Sequence, residues 1–422
     1  MTRSIRYEKF TGINNKSPLE RLKRTELREA VNVDIDQTRR VRRRRGYQKV
    51  YSGTNIHSLW SGEGHRLFVE NGALKELHSD YSTTTYRTGL NLSARMAYAG
   101  VAGRVYYTNG EITGCIFDGA DHAWGVEPPH AAPAVAPAPG AFKAGKYQLV
   151  FTYRTKYQEE SGSSAPTPFE LAADGGMQLS NLPKPQDPDV TTLLIYITPP
   201  NGDQFYYAGS VPAGTDTTLL QGAIYTVPLR TQFLQPPPPG TLLEVHAGRI
   251  YIGDGPVVWY TEPGAFGLLR PSRNFLQFED TVDLLAATID GMFVSADQTY
   301  FLHGTDPEQM WPARLASYKA IRGTVAEVDG ALIGDGSSPG VHIMWLSERG
   351  ICAAGQGGSF ENLTEKRLSA VTGGAGAGLL RRDAGAVQYL GLTQDTTPPG
   401  EGGNLYATDT AVAEVVRNGI TI

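Results

Sequence analysis

The chain has 422 residues, 40% of them hydrophobic, enough for two or three domains and a sizeable core. Its 49 glycines and 27 prolines argue for many turns and few long helices. The net charge of −5 is uneven: residues 1–50 carry 15 Lys and Arg against 6 Asp and Glu, or +9, leaving −14 on the remainder.

No apolar run reaches the roughly 18 residues of a membrane span, so none is expected. The basic N-terminus lacks the apolar stretch of a secretory leader. Cys115 and Cys352 stand far apart and read as two buried free thiols, not as a disulfide scaffold.

In chain order, residues 1–50 form a basic N-terminal arm. Leu19 to Ala30 reads as a short helix with Ser17 as its cap, Pro18 in the first turn and Glu20 after it. Val31 to Ile35 alternates as a strand. Arg39, Arg40, Arg42, Arg43, Arg44 and Arg45 follow, six arginines in seven positions. Such a run stays solvated or finds partners. Three readings stand: a solvated strand or turn, contact with an acidic neighbouring subunit, or contact with nucleic-acid phosphate.

From residue 51 a repeated pattern begins: a Gly, a short apolar run, a Gly/Asn/Asp turn, and a second apolar run. It starts at Gly64, Gly103, Gly248, Gly291, Gly330 and Gly385. The clearest copy is Ala247 to Tyr260, where Ile250-Tyr251-Ile252 and Val257 to Tyr260 flank Gly253-Asp254-Gly255. The spacings are 39 residues (Gly64 to Gly103), 43 (Gly248 to Gly291), 39 (Gly291 to Gly330) and 55 (Gly330 to Gly385). The gap of 145 from Gly103 to Gly248 falls to about 40 if a separate domain is inserted there. A beat near 40 with several short strands per unit suits an all-β fold, a β-propeller of about six blades. The division expected is 1–50 arm, 51–129 first part of the propeller, 130–238 insert, and 239–422 second part.

Within the insert, Pro133, Pro137 and Pro139 among alanines read as a stiff linker, and Pro236 to Pro239 as the way out. Between them Gly145 to Tyr153, Leu193 to Thr198, Phe205 to Gly209 and Val211 to Thr215 read as strands of a fibronectin type III-like β-sandwich. Trp124 reads as a blade-packing aromatic. The last blade is expected to be completed by an early strand, Val31 to Ile35 or Tyr47 to Tyr51, removing an open edge.

The arm and the first turns resemble a known family. Phe10-Thr11-Gly12-Ile13-Asn14, then Glu29-Ala30-Val31-Asn32-Val33-Asp34, then Arg44-Arg45-Gly46-Tyr47 resemble the opening of the tail-nozzle proteins of short-tailed bacteriophages, also called tail tubular B-type or packaged-DNA stabilisation proteins. Trp259 to Gly264 is similar to a turn common in those propellers. The dense arginine run departs from the family, which usually carries one or two basic residues there. The resemblance implies a ring of six copies in a virion tail, made in the host cytoplasm. It would lie below adaptor and portal, dock tail fibres or spikes, and pass DNA without reading its sequence. An acidic body would repel phosphate along the passage, leaving the arginines at a protein junction.

No nucleophile motif, zinc spacing or phosphate loop is present, so neither enzyme activity nor a cofactor is expected. Gly373 to Gly378 reads as a flexible loop, and Asp297 and Gln298 as hairpin-turn residues. The alternative is a glycan-binding or glycan-degrading propeller acting on host polysaccharide, which needs paired carboxylates near the axis. A fibre-docking adaptor is a third reading.

Overall fold

The computed structural model describes residues 9–394 except 37, 45, 47, 333–339, 370, 372 and 384–385, plus three short strands beyond them. Among the described residues the only helical elements are three single 3₁₀ turns. A hairpin of β1 (Val33–Ile35) and β2 (Val41–Arg43) comes first. The first four-stranded sheet is β3 (Ile56–Gly62), β4 (His65–Glu70), β5 (Ala73–Leu77) and β6 (Thr83–Arg87). The second is β7 (Ala97–Val101), β8 (Arg104–Thr108), β9 (Thr113–Phe117) and β10 (Ala120–His122).

Seven strands then stand apart from this beat: β11 (Ala134–Phe142), β12 (Gly145–Thr155), β13 (Thr167–Leu171), β14 (Gly175–Ser180), β15 (Val190–Ile197), β16 (Tyr206–Pro212) and β17 (Thr217–Leu220). They form two sheets, ordered β11-β14-β17 and β13-β12-β15-β16, packed as a sandwich. Phe151, Leu149, Ile195, Met177 and Leu179 fill its core.

The beat resumes with β18 (Leu242–His246), β19 (Arg249–Asp254), β20 (Val257–Tyr260) and β21 (Phe275–Gln277). The fourth sheet is β22 (Leu284–Thr288), β23 (Gly291–Ser295), β24 (Thr299–His303) and β25 (Trp311–Ala316). The fifth is β26 (Ala326–Asp329), β27 (Val341–Ser347), β28 (Gly350–Gly355) and β29 (Ser359–Asn362). The sixth holds β30 (Ala375–Asp383), β31 (Ala386–Gln394), β32 (Thr410–Ala413), β33 (Val416–Arg417) and β34 (Ile420–Thr421).

Hairpin chemistry explains the beat. Glu63-Gly64, Asn71-Gly72, Ala102-Gly103, Asp118-Gly119 and Ala247-Gly248 all have positive φ at both residues. That is the two-residue turn whose twist matches the flanking strands. At Gly64, Gly103 and Gly248 the repeated glycine is therefore the second turn residue, and the apolar run after it is the next strand, whereas Gly291 is itself the first residue of β23.

The strands of the second to fifth sheets are apolar on both faces because each of these sheets packs against a neighbour on both sides. Ile250 and Ile252 of β19 pack toward Ala99, Tyr106 and Cys115 of the second sheet and toward Trp124 just after it. Tyr251, between them, packs with Val258 toward Leu285, Met292 and Val294 of the fourth. Leu67 and Val69 join Tyr98, Val105 and Ile116. Phe293 and Phe301 join Trp345 and Cys352. Met344 and Leu346 join Val387 and Tyr389. Five apolar joints thus link six sheets in chain order, and the fold is an all-β propeller with an inserted sandwich and a basic N-terminal arm. Both cysteines are free and buried, and burial pushes each thiol up to about 12. Trp124 is a packing aromatic whose indole N–H donates to the Phe266 carbonyl at 2.7 Å.

The joint between sixth and first sheets is made differently. β1 pairs with β2 alone, so no early strand completes the last sheet among the described residues. The arm bridges the gap instead. Arg367 donates to the Thr11 carbonyl at 2.7 Å, and the Ser369 N–H to Asn15 Oδ1 at 2.8 Å. At the other end Tyr51 donates to Glu70 of β4 at 2.7 Å.

Several expected elements differ. The helix over 19–30 is a single 3₁₀ turn, Leu19–Arg21, without a side-chain cap from Ser17. Backbone bonds from Thr11 to Thr25 and from Leu27 to Gly12 hold that segment extended instead, and so short a helix has little stability of its own. The alanine–proline stretch is not a linker but strand β11. It lies at a sheet edge, where Pro137 and Pro139 can forgo an N–H. Phe205 to Thr215 holds one strand, β16, not two. The Gly330 unit begins earlier than expected: β26 precedes Gly330, and Gly330–Leu332 is a 3₁₀ turn. Tyr47, Ile333 and Gly385 lie outside the described residues.

The glycine-rich 373–378 stretch is not a loop from residue 375 onward, where β30 begins. There the N–H groups of Gly376 and Gly378 donate to the carbonyls of Arg322 and Gly323 at 2.8 and 3.1 Å. A Cβ on Gly378 would lie 2.0 Å from the Thr324 carbonyl oxygen, so this approach requires glycine. Replacing Gly378 by Ala should destabilise the joint between fifth and sixth sheets by about 2 kcal/mol. A thermal melt compared with Gly46→Ala, where a Cβ meets nothing within 4 Å, reads this out, and an unchanged midpoint for Gly378→Ala contradicts it.

Candidate functional site

Two features outside the apolar joints bring charged groups together: the arginine hairpin and the axial channel. In the hairpin, Asp36 builds the turn. Its Oδ1 accepts from the Thr38 N–H at 2.9 Å, the Thr38 hydroxyl at 2.6 Å and the Arg40 N–H at 3.0 Å. Arg39 takes a positive φ of 64°, and its carbonyl accepts from the Phe10 N–H at 2.8 Å.

The six arginines do not act alike. Arg44 donates to Asp34 Oδ1 at 2.9 Å, and Arg381 of β30 donates to Asp34 Oδ2 at 2.8 Å. Asp34 is 1% exposed, so this carboxylate latches the hairpin to the last sheet. Arg42 stands opposite Asp34 in the β1–β2 ladder and is half-buried. Arg39, Arg40 and Arg43 are exposed, a fixed basic edge. Arg45 lies outside the described residues.

The axial channel runs between the first strands of the sheets. Its walls carry Trp60 from β3, Tyr98 and Gly100 from β7, Glu244 from β18, Glu327 from β26, and Gly378 and Leu380 from β30, around a cavity of about 1040 Å³. Glu244 sits in the apolar run Leu242-Leu243-Glu244-Val245. Its carboxylate takes the Val245 N–H at 3.1 Å and a backbone N–H from Ala287 on β22. Burial, reinforced by the negative charge of Glu327, pushes this carboxyl up to about 8. Trp60 stacks on Tyr98 with ring centres 5.5 Å apart. Tyr98 is 9% exposed, and its hydroxyl is buried without a hydrogen-bond partner.

At one end of the barrel Arg322 ties several sheets together. It donates to Thr241 at 3.0 Å, to the Val282 carbonyl at 2.8 Å and to Asp283 at 3.2 Å. On the outer edge of the second sheet, the sandwich is fixed by a charged and aromatic joint. Arg104 pairs with Glu159 and lies 4.0 Å over Phe117, which stacks on His122 at 4.0 Å. His122 Nδ1 meets Asp189 at 2.6 Å, and Lys156 meets the same carboxylate at 2.9 Å.

The sequence pointed to the arginines but not to the channel residues. Glu244 left one signal, a lone acid inside an apolar strand. Glu327, Trp60 and Tyr98 left none, because only closure of the ring brings them together. Asp297 and Gln298 sit in the β23–β24 turn as expected. Among the described residues, no three His, Cys, Asp or Glu side chains are grouped to hold a metal ion, and no helix is long and apolar enough to cross a membrane.

Burial alone would raise the Asp34 carboxyl, but the bonds and charges of Arg44 and Arg381 outweigh it and hold it below its ordinary 3.8. A carboxyl depressed in the folded state stabilises above its unfolded value and loses that contribution as pH falls through the folded one. The latch should therefore release only below about pH 3.8. Asp34→Asn should loosen it at neutral pH by about 3 kcal/mol. Hydrogen exchange at Thr11 to Leu27 measures both effects, and unaltered protection in the variant contradicts the latch.

No protein-family model matches the chain, and no curated protein matches it in sequence. Among solved structures it is similar to BBS1N, seen in complex with ARL6DN, at 12% identity over 82% of this chain and 90% of that one, with a TM-score of 0.29. It is similar to PorZ, a surface component of the type-IX secretion system of Porphyromonas gingivalis, at 12% identity over 83% and 48%, with a TM-score of 0.20. It is also similar to the extracellular domain of the one-component system BT4673 from B. thetaiotaomicron, at 12% identity over 86% and 51%, with a TM-score of 0.17. The chain spans about half the length of the latter two.

Proposed function

We propose that this chain is a structural subunit of a ring, the tail nozzle of a short-tailed bacteriophage, whose task is assembly and passage and not catalysis. The observation that carries this reading is the hairpin edge of Arg39, Arg40 and Arg43, exposed and held on a body of opposite net charge. A ring needs a head-to-tail contact between two different surfaces of one chain. A rigid basic edge on an acidic body supplies such a pair, with little side-chain ordering left to pay on docking. The opening residues that resemble the nozzle family support the same role. On this reading the ring is a hexamer below adaptor and portal in the virion tail, docks fibres or spikes, and passes DNA along an acidic wall without base contacts.

A second reading, a glycan-binding or glycan-degrading propeller, is favoured by one observation: Glu244 and Glu327 share the axial channel with an aromatic stack. Release of reducing ends from host polysaccharide, lost in Glu327→Gln, supports it over the first.

For six copies of a 45.6 kDa chain the native mass is about 274 kDa. Light scattering should show that species at about 0.1 M salt and its partial dissociation near 1 M, where screening shortens to about 3 Å. Changing Arg39, Arg40 and Arg43 together to Glu should leave the monomer folded and abolish the ring. A wild-type protein that stays at 45.6 kDa at every concentration rejects the proposal.

A further inference from the structure

We infer that the groove at the outer rim of the seam between the third and fourth sheets receives the Arg39, Arg40 and Arg43 edge of a neighbouring copy of this chain. The inference rests on the ring reading and names the surface which that reading leaves open. Six sheets stacked in chain order put the seam of the third and fourth across the axis from that of the sixth and first, where the arm is fastened. A head-to-tail contact joins two such opposed surfaces. The groove, of about 420 Å³, lies between β21 and the β24–β25 hairpin. It is lined by Leu302 and Met310 of the apolar joint, by the rings of Phe278 and Tyr300, and by Glu279 and Asp297.

Two observations match this groove to that edge. The first is charge. Close by, Asp280 is paired with Lys319 and Glu308 with Arg273, whereas Glu279 and Asp297 form no ion pair among the described residues. Asp297 Oδ2 accepts from the Tyr300 hydroxyl at 2.9 Å. Burial, the Asp297 bond and the charges of Asp297 and Glu279 push the Tyr300 phenol up to about 12, so both carboxylates bear on one ring. Arg314, opposite Tyr300 in the β24–β25 ladder, is exposed and lies outside the lining. It reduces the negative charge there but bridges neither acid among the described residues.

The second is polarity. Val41, between Arg40 and Arg43, is 37% exposed, so the edge presents an apolar side chain flanked by guanidinium groups. An apolar groove with an acidic rim is its counterpart. Val41 and the arginine stems meet Leu302 and Met310, and the guanidinium groups meet the carboxylates and the two rings. The hairpin is latched and the groove is built on strands, so little ordering is left for the contact itself.

The test mixes two variants of the full chain. One carries Arg39→Glu, Arg40→Glu and Arg43→Glu, and the other Glu279→Lys and Asp297→Lys. Alone, each sets like charge against like and should stay at 45.6 kDa by light scattering. Mixed in equal amounts, every edge meets a groove of opposite sign, so six copies should alternate in rings of about 274 kDa. Glu279→Gln with Asp297→Asn keeps an acceptor for the Tyr300 hydroxyl and should weaken assembly of the wild-type edge about tenfold. Three results overturn the inference: rings from the Lys variant alone, unweakened assembly of the Gln and Asn variant, or a mixture that stays monomeric while both partners keep the wild-type thermal midpoint. Each of these leaves the wild-type ring standing. A wild type that forms no ring rejects the ring proposal and this contact together.

Discussion

The second to fifth sheets of the propeller are apolar on both faces, and this constraint governs the rest. A sheet exposing one such face to water would leave a large apolar patch and an unpaired edge. Two neighbours per sheet remove the patch, and sheets of right-handed twist stacked this way turn about an axis until they meet. β19 shows the device in three residues: Ile250 and Ile252 serve one joint, and Tyr251 the next. Five joints are filled in this way.

The remaining joint and the attachment of the sandwich use charge. Ion pairs with one partner in water stabilise modestly, but they are directional and fix register. The arm is held by Asp34 between two guanidinium groups, and the sandwich by Glu159 and Asp189 meeting Arg104, Lys156 and His122. Both attachments lie at the periphery of the stacked sheets. The apolar stack sets the frame, and the charged contacts position the parts that reach beyond it.

Much of this frame was legible in the sequence because its causes are local. A glycine after Glu63, Ala102 or Ala247 sets a two-residue turn with positive φ, and the turn sets the hairpin. What stayed hidden depends on distant partners. The Pro137–Pro139 stretch looks like a linker until β14 lies beside it, and the glycines at 376 and 378 look like slack until Thr324 needs their space. Leu19 to Ala30 has helical spacing, yet backbone bonds to Gly12 and Thr11 outweigh it. Among the arginines, only the location of Asp34 and Arg381 separates Arg44, which is structural, from Arg39, Arg40 and Arg43. The channel is the extreme case, since its walls come from sheets nearly the whole chain apart.

The contact between Asp34 and Arg381 spans 347 residues. During synthesis the N-terminal segment leaves the ribosome long before its partner exists, and Asp34 then has Arg44 alone. The first five sheets can stack in order as they emerge, each on its predecessor, while the leading segment waits. Only the last sheet supplies the guanidinium that pins it. The basic edge is thereby set in place only after the last sheet has formed.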